Sequence, residues 1–62
     1  MDKKFKLIQE RKKQKLTQKD IANILEISLS YYSAIERGIR NPTLELAKKI
    51  AELFNKTIEE LF

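Results

Sequence analysis

Residues 16–42, L-T-Q-K-D-I-A-N-I-L-E-I-S-L-S-Y-Y-S-A-I-E-R-G-I-R-N-P, leave this chain few ways to fold. Thr17 offers an N-cap hydroxyl and Asp20 follows three residues on, a capping-box pair that opens a helix. That helix carries Ile21, Ala22, Ile24 and Leu25 as its inward set. Ser28 is the next N-cap, which predicts a further helix over 29–37. Gly38, just past its end, suits the left-handed C′ position. Only Glu26-Ile27-Ser28 join the two helices, and so short a link forces a steep crossing. A close crossing needs a small side chain, and Ala22 stands there, with Ile27 and Ile35 placed to plug the wedge.

The whole chain is short. Its 62 residues make one domain, 1–62, and at this size folding buries only about 60% of the surface of the unfolded chain. Cysteine and histidine are both absent, so neither a disulfide nor a Cys/His zinc site can staple the fold. No metal or cofactor is expected, and stability must come from helix packing and dimerisation. The lack of cysteine fits a reducing compartment. Met1-Asp2-Lys3-Lys4 is not followed by an apolar run of signal-peptide type, and no stretch approaches about 18 apolar residues. The expectation is a complete, soluble, cytoplasmic protein with no membrane partner and no small-molecule substrate.

Thirteen basic and nine acidic residues give a net charge of +4, unevenly spread. Lys3, Lys4, Lys6, Arg11, Lys12, Lys13, Lys15 and Lys19 crowd the first third, whereas Glu52, Glu59 and Glu60 make the C-terminal end acidic. A polyanion is drawn to the N-terminal side, unless these lysines form only a solvated face. The first lysines can also serve as an arm along a nucleic-acid backbone.

One glycine, one proline and no strand-like alternation read as all-α. Helix one is expected over 3–14, with Phe5, Ile8 and Lys12 at i, i+3, i+7 and Leu7 and Arg11 beside them. Asn41-Pro42 starts a new element, since a residue before proline avoids helix. Thr43 caps helix four, whose inward stripe is Leu44, Ala47, Ala51 and Phe54. Leu46, Ile50 and Leu53 form a second stripe: part is core, and the rest, with Phe62, is a candidate two-fold dimer surface. Asn55 can end that helix in the left-handed conformation asparagine tolerates. Thr57 and Glu60 form another capping box, opening a short fifth helix.

The N-terminus of helix two, at Thr17 and Gln18, presents free backbone N–H groups and a positive dipole end, both suited to a phosphate oxygen. Helix three turns Tyr32, Ile35 and Glu36 inward and Leu29, Ser30, Ser33, Ala34 and Arg37 outward. This is the layout of a helix-turn-helix, whose second helix is offered to the major groove. Tyr32 is assigned to the core and Tyr31 to the groove edge, the alternative being a stacking platform for single strands. Lys48-Lys49 lie away from the motif and read as a solvated face. Without histidine, cysteine or a glycine-rich phosphate loop, nothing points to an enzyme.

At these residues the chain resembles the Cro and lambda-repressor type of helix-turn-helix protein, the XRE family. The resemblance spans about 5–62 and rests on Leu16-Thr17-Gln18, Asp20-Ile21-Ala22, Ile27-Ser28, Ile35-Glu36-Arg37-Gly38, Arg40-Asn41-Pro42, Ile50-Ala51 and Glu59-Glu60-Leu61-Phe62. It implies a compact five-helix bundle, lambda-repressor-like, with helices two and three as the motif. It places Ser28, Leu29, Ser30 and Ala34 at base edges and Tyr31, Arg40 and Asn41 at phosphates, and it makes Gln18 a phosphate ligand that also braces the reading helix. The outward Ser33 joins the base-reading set, and Thr17, Lys19 and Arg37 join the phosphate set. It also implies a partly buried ion pair between Arg11 and Glu36.

Two departures from the family pattern stand out. The turn position that is usually glycine is Glu26, which is strained if its φ is positive. The base-reading positions Leu29, Ser30, Ser33 and Ala34 offer no Arg, Lys or Gln, so Leu29 and Ala34 toward thymine methyls, DNA shape and dimer spacing must carry specificity. The expected function is a small transcriptional regulator that binds duplex DNA as a homodimer and represses by promoter occlusion. The alternative is a protein-interaction or antitoxin-like module whose apolar Leu29/Ala34 face meets protein.

Overall fold

Capping chemistry draws the boundaries of five helices among residues 3–62, which the structure, a computed structural model, describes. They are α1 (Phe5–Lys13), α2 (Gln18–Leu25), α3 (Leu29–Glu36), α4 (Leu44–Phe54) and α5 (Ile58–Leu61). Both expected capping boxes form: Asp20 N–H donates to Thr17 Oγ1 at 3.0 Å and Thr17 N–H to Asp20 Oδ2 at 2.9 Å, with Thr57 and Glu60 repeating the exchange. The Ser28 and Thr43 hydroxyls accept from Tyr31 N–H and Leu46 N–H, opening α3 and α4. The α1 N-cap is Lys4, which has no capping side chain; α1 is therefore shorter than the expected 3–14. The Lys4 N–H instead donates to Glu36 O at 2.9 Å, pinning the start of α1 to the end of α3.

Four helices stop in one way. Lys15, Glu26, Gly38 and Asn55 all take positive φ, at 59, 58, 78 and 55°. At each, the residue's own N–H bonds back three residues and the next N–H bonds back five: Lys15→Lys12 with Leu16→Arg11, Glu26→Asn23 with Ile27→Ala22, Gly38→Ile35 with Ile39→Ala34, Asn55→Glu52 with Lys56→Ala51. This is the Schellman closure. It satisfies carbonyls that the helix leaves unpaired, and only Gly38 has a backbone free of Cβ strain. Leu16 and Ile27, each following such a stop, pack against the core and lead directly into the next cap.

The core gathers Leu7, Ile21, Ala22, Tyr32, Ile35, Leu46, Ile50, Ala51, Phe54 and Leu61. α2 packs on α3, and α5 closes against α1 and α4. Several expected inward residues lie elsewhere, for a common reason: at ~100° per residue, a short helix offers the core one arc. On α1 that arc is centred on Leu7 and Arg11; Phe5 is 70% exposed. On α2, Ile24 falls to the flank of Ile21, Ala22 and Leu25, and is exposed. On α4 the two stripes merge into one arc of ~140° running through Leu46, Ile50, Phe54, Ala47 and Ala51, with Leu44 outside it and exposed. Leu46 and Ile50 are therefore core residues rather than dimer surface. Leu53 and Phe62 are half-buried and packed against that core.

Candidate nucleic-acid interface

The link Glu26-Ile27-Ser28 crosses α2 and α3 over the buried Ala22, and the crossing sets the N-terminus of α2 beside the outer face of α3. On that face Ser28, Leu29 and Ser30 are exposed and Ser33 is half-buried. Ser28 Oγ accepts from Tyr31 N–H at 3.1 Å and lies 3.5 Å from Ser30 Oγ, a contact in which either hydroxyl can donate.

Ala34 departs from expectation. It occupies the outward angle of α3, yet it is only 7% exposed. The segment after α3 folds back on it, and the N–H groups of Ile39 and Arg40 both donate to the Ala34 carbonyl, at 3.0 and 3.3 Å. A methyl this buried is not offered to a base edge, so Ala34 leaves the reading set.

Beside Leu29 lies an open cleft of about 590 Å³, lined by Arg11, Lys12, Lys15, Leu16, Thr17, Gln18 and Lys19. Its floor is the N-terminal turn of α2, and Arg11, Lys12, Lys15 and Lys19 make its lining cationic. On a second border, the Arg40 guanidinium sits 5.1 Å from the centroid of the Tyr31 ring, a cation–π contact that holds a flexible side chain in place. Thr17, Lys19, Arg37, Arg40 and Asn41 are exposed, while Gln18 and Tyr31 are half-buried.

A buried polar centre underlies this surface. Arg11 Nε donates to Glu36 Oε2 at 2.6 Å, its Nη2 to Glu36 Oε1 at 3.2 Å and its Nη1 to the Leu16 carbonyl at 2.9 Å. Glu36 is 2% exposed. Burial pushes its carboxyl up, but hydrogen bonds from Arg11 and Gln18 outweigh that and hold it below the ordinary carboxylate range. The same bond to Glu36 raises Arg11 further. Burial, and then the adjacent Glu36 carboxylate, push the Tyr32 hydroxyl far above the usual tyrosine range. Among the described residues, no partner meets that hydroxyl at good hydrogen-bonding geometry.

The resemblance gave Gln18 a bracing role but not its partner, which is Glu36: Gln18 Nε2 donates to Glu36 Oε1 at 2.8 Å. The two residues are 18 apart on different helices, and no local spacing signals the contact. Lys12 and Lys15 also join the cleft without having been assigned to it from the motif.

Two helices crossed over a small residue, an exposed N-capped reading helix and a cationic cleft beside it define a helix-turn-helix module. The sequence matches the helix-turn-helix family over residues 7–61, and the chain belongs to that XRE-type family of DNA-binding transcriptional regulators. It is 47% identical to an HTH-type transcriptional regulator of Methanocaldococcus jannaschii, over 76% of this chain and 71% of the relative. It is 40% identical to another from Archaeoglobus fulgidus, over 84% of this chain and 74% of that one. With the HTH-type transcriptional regulator AnsR of Bacillus subtilis it shares 38% identity over 90% of this chain, matching 48% of AnsR's length.

Proposed function

We propose that this chain reads a specific duplex operator as a homodimer, with α3 in the major groove, and represses transcription by covering a promoter. The observation that carries this reading is the apolar and hydroxyl face of Leu29, Ser30 and Ser33 bordered by the cationic cleft and by the Arg40–Tyr31 pair. In the proposal Ser28, Leu29, Ser30 and Ser33 meet base edges. Thr17, Gln18, Lys19, Tyr31, Arg37, Arg40 and Asn41 meet phosphates, joined by Lys12 and Lys15.

Size supports two copies. The Cα envelope is 23 × 23 × 20 Å, shorter than the ~34 Å that separates successive major grooves on one side of B-DNA, so one copy spans one half-site. Leu53 and Phe62 are the remaining candidates for the contact between copies. A face of leucine and serines favours thymine methyls and DNA shape over bidentate base contacts.

Selection from a random duplex pool at two salt concentrations tests the reading. A palindromic motif with A·T-rich half-sites, bound more weakly at high salt, is the expected result. Binding without a motif would remove sequence specificity. No binding at either salt would overturn DNA recognition and favour a protein partner on the Leu29 face.

A further inference from the structure

The cleft between the end of α2 and α4 has no part in the proposed reading of DNA. It holds about 430 Å³ and is lined by Ile24, Leu25 and Leu53, with Glu26, Glu52 and Lys49 around them. Ile24 is 53% exposed there. Lys49 pairs with Glu45 at 3.8 Å, whereas Glu26 and Glu52 join no ion pair among the described residues. Two such carboxylates repel a phosphate backbone. An apolar floor beneath them suits an apolar group carried between cations.

The chain itself carries that group. Phe5, in the first turn of α1, is 70% exposed. It shares its patch of surface with Lys3, Lys4, Lys6 and Phe62. Glu60 stands in one cleft with Lys6, but Lys3 and Lys4 have no carboxylate at ion-pair distance among the described residues. A copy does not seat its own Phe5 in its own cleft. The bond from Lys4 N–H to Glu36 O fixes the Phe5 patch at the C-terminal end of α3. Glu26 stands just before the N-terminal end of α3, about 12 Å away along that eight-residue helix.

We infer that a second copy of this chain fills the cleft. Phe5 of one copy seats against Ile24 and Leu53 of the other, and Lys3 and Lys4 of the first face Glu26 and Glu52 of the second. The inference rests on the proposed pairing of copies and names the surfaces that make it. Leu53 lines the cleft and Phe62 borders Phe5, so the two residues left as candidates for that pairing fall one on each half of the contact. Under two-fold symmetry the exchange is made twice, because the patch that meets the cleft carries its own cleft to the partner's patch. Two small contacts of this kind give a weak, reversible pair.

Sedimentation of the free protein at up to about 1 mM tests this without DNA, with helical circular dichroism confirming that every variant is folded. Phe5→Ser and Ile24→Lys should each weaken self-association about tenfold or more, the cost of leaving that apolar surface in water. Both positions are exposed, so neither change touches the core. An equimolar mixture of the two variants should recover association that neither shows alone, because the intact Phe5 of one meets the intact cleft of the other. No recovery in the mixture overturns the inference, and so does a wild type that stays monomeric throughout. Pairing that neither variant alters leaves the homodimer standing and removes this contact from it. On a half-site duplex, which takes one copy, Phe5→Ser should bind as wild type does. A loss there would make the Phe5 segment an arm on DNA and would also overturn the inference.

Discussion

Replacing Glu26 by glycine should stabilise this protein, although glycine inside a helix ordinarily destabilises it. Glu26 holds φ 58°, ψ 43°, in the left-handed region. A residue with a Cβ is strained there by roughly 1–2 kcal/mol, and glycine is not. Against that, glycine loses more backbone freedom on folding, roughly 0.5–1 kcal/mol. The difference is a gain of about 0.5–1 kcal/mol, which in a domain this small raises Tm by about 2–8 °C. Little is lost with the side chain: Glu26 is exposed, and its carboxylate joins no ion pair among the described residues. The bonds Glu26 N–H→Asn23 O and Ile27 N–H→Ala22 O involve main chain only and survive the change. Thermal and urea unfolding followed by helical circular dichroism give the measurement. Two controls make it specific. Glu26→Ala should be nearly neutral, because alanine shares the Cβ strain, and Asn55→Gly should gain less, because asparagine tolerates φ 55°. An unchanged or lower Tm for Glu26→Gly, or an equal gain from Glu26→Ala, would refute the strain argument and point to the carboxylate instead.

Three further outcomes are expected. Arg11→Met leaves Glu36 buried and unpaired and should cost about 3–5 kcal/mol, comparable to what so small a core supplies; adding Glu36→Leu should recover most of it, and a double variant no better than the single would sink this account. Glu36 titrates below the ordinary carboxylate range, so its contribution is complete above the unfolded value of about 4.3 and is lost as pH falls through the folded value; the urea midpoint of wild type should approach that of Glu36→Gln between neutral pH and pH ~3, and a constant gap would contradict the shift. Lys12→Ala and Arg40→Ala should each reduce the slope of log affinity against log salt by about 0.9, measured by fluorescence anisotropy on the operator, whereas an unchanged slope removes that residue from the phosphate set.

The sequence was most readable where structure is local. Thr17 with Asp20, Thr57 with Glu60, and the caps at Ser28 and Thr43 rely on side chains bonding to main chain three residues away, and each forms where its spacing placed it. The family resemblance carried the Arg11–Glu36 pair, which the structure contains. Legibility failed where tertiary context decides. The α4 pattern permits two stripes or one broad arc, and only α2 and α5 closing against it choose the arc, turning Leu46 and Ile50 into core. Ala34 lies on the outward angle of its helix, and the loop that covers it is invisible to periodicity. Lys15 in a left-handed stop carries no glycine or asparagine to announce it. Gln18 meeting Glu36 is a long-range contact between two helices.

The fold-back over Ala34 has a mechanical consequence. Because Ile39 and Arg40 are hydrogen-bonded to the last turn of α3, the Arg40 side of the interface travels with the reading helix as one body. On the other side, α2 is locked to α3 by the Glu26 stop and by Gln18 on Glu36. In the proposed complex the two borders that would meet phosphates are thus the jaws of a calliper whose opening the protein does not adjust. The duplex has to supply the adaptation, and sequences with flexible pyrimidine–purine steps supply it at the least cost. A fixed calliper closing on a deformable helix selects a groove width even at base pairs that no side chain touches.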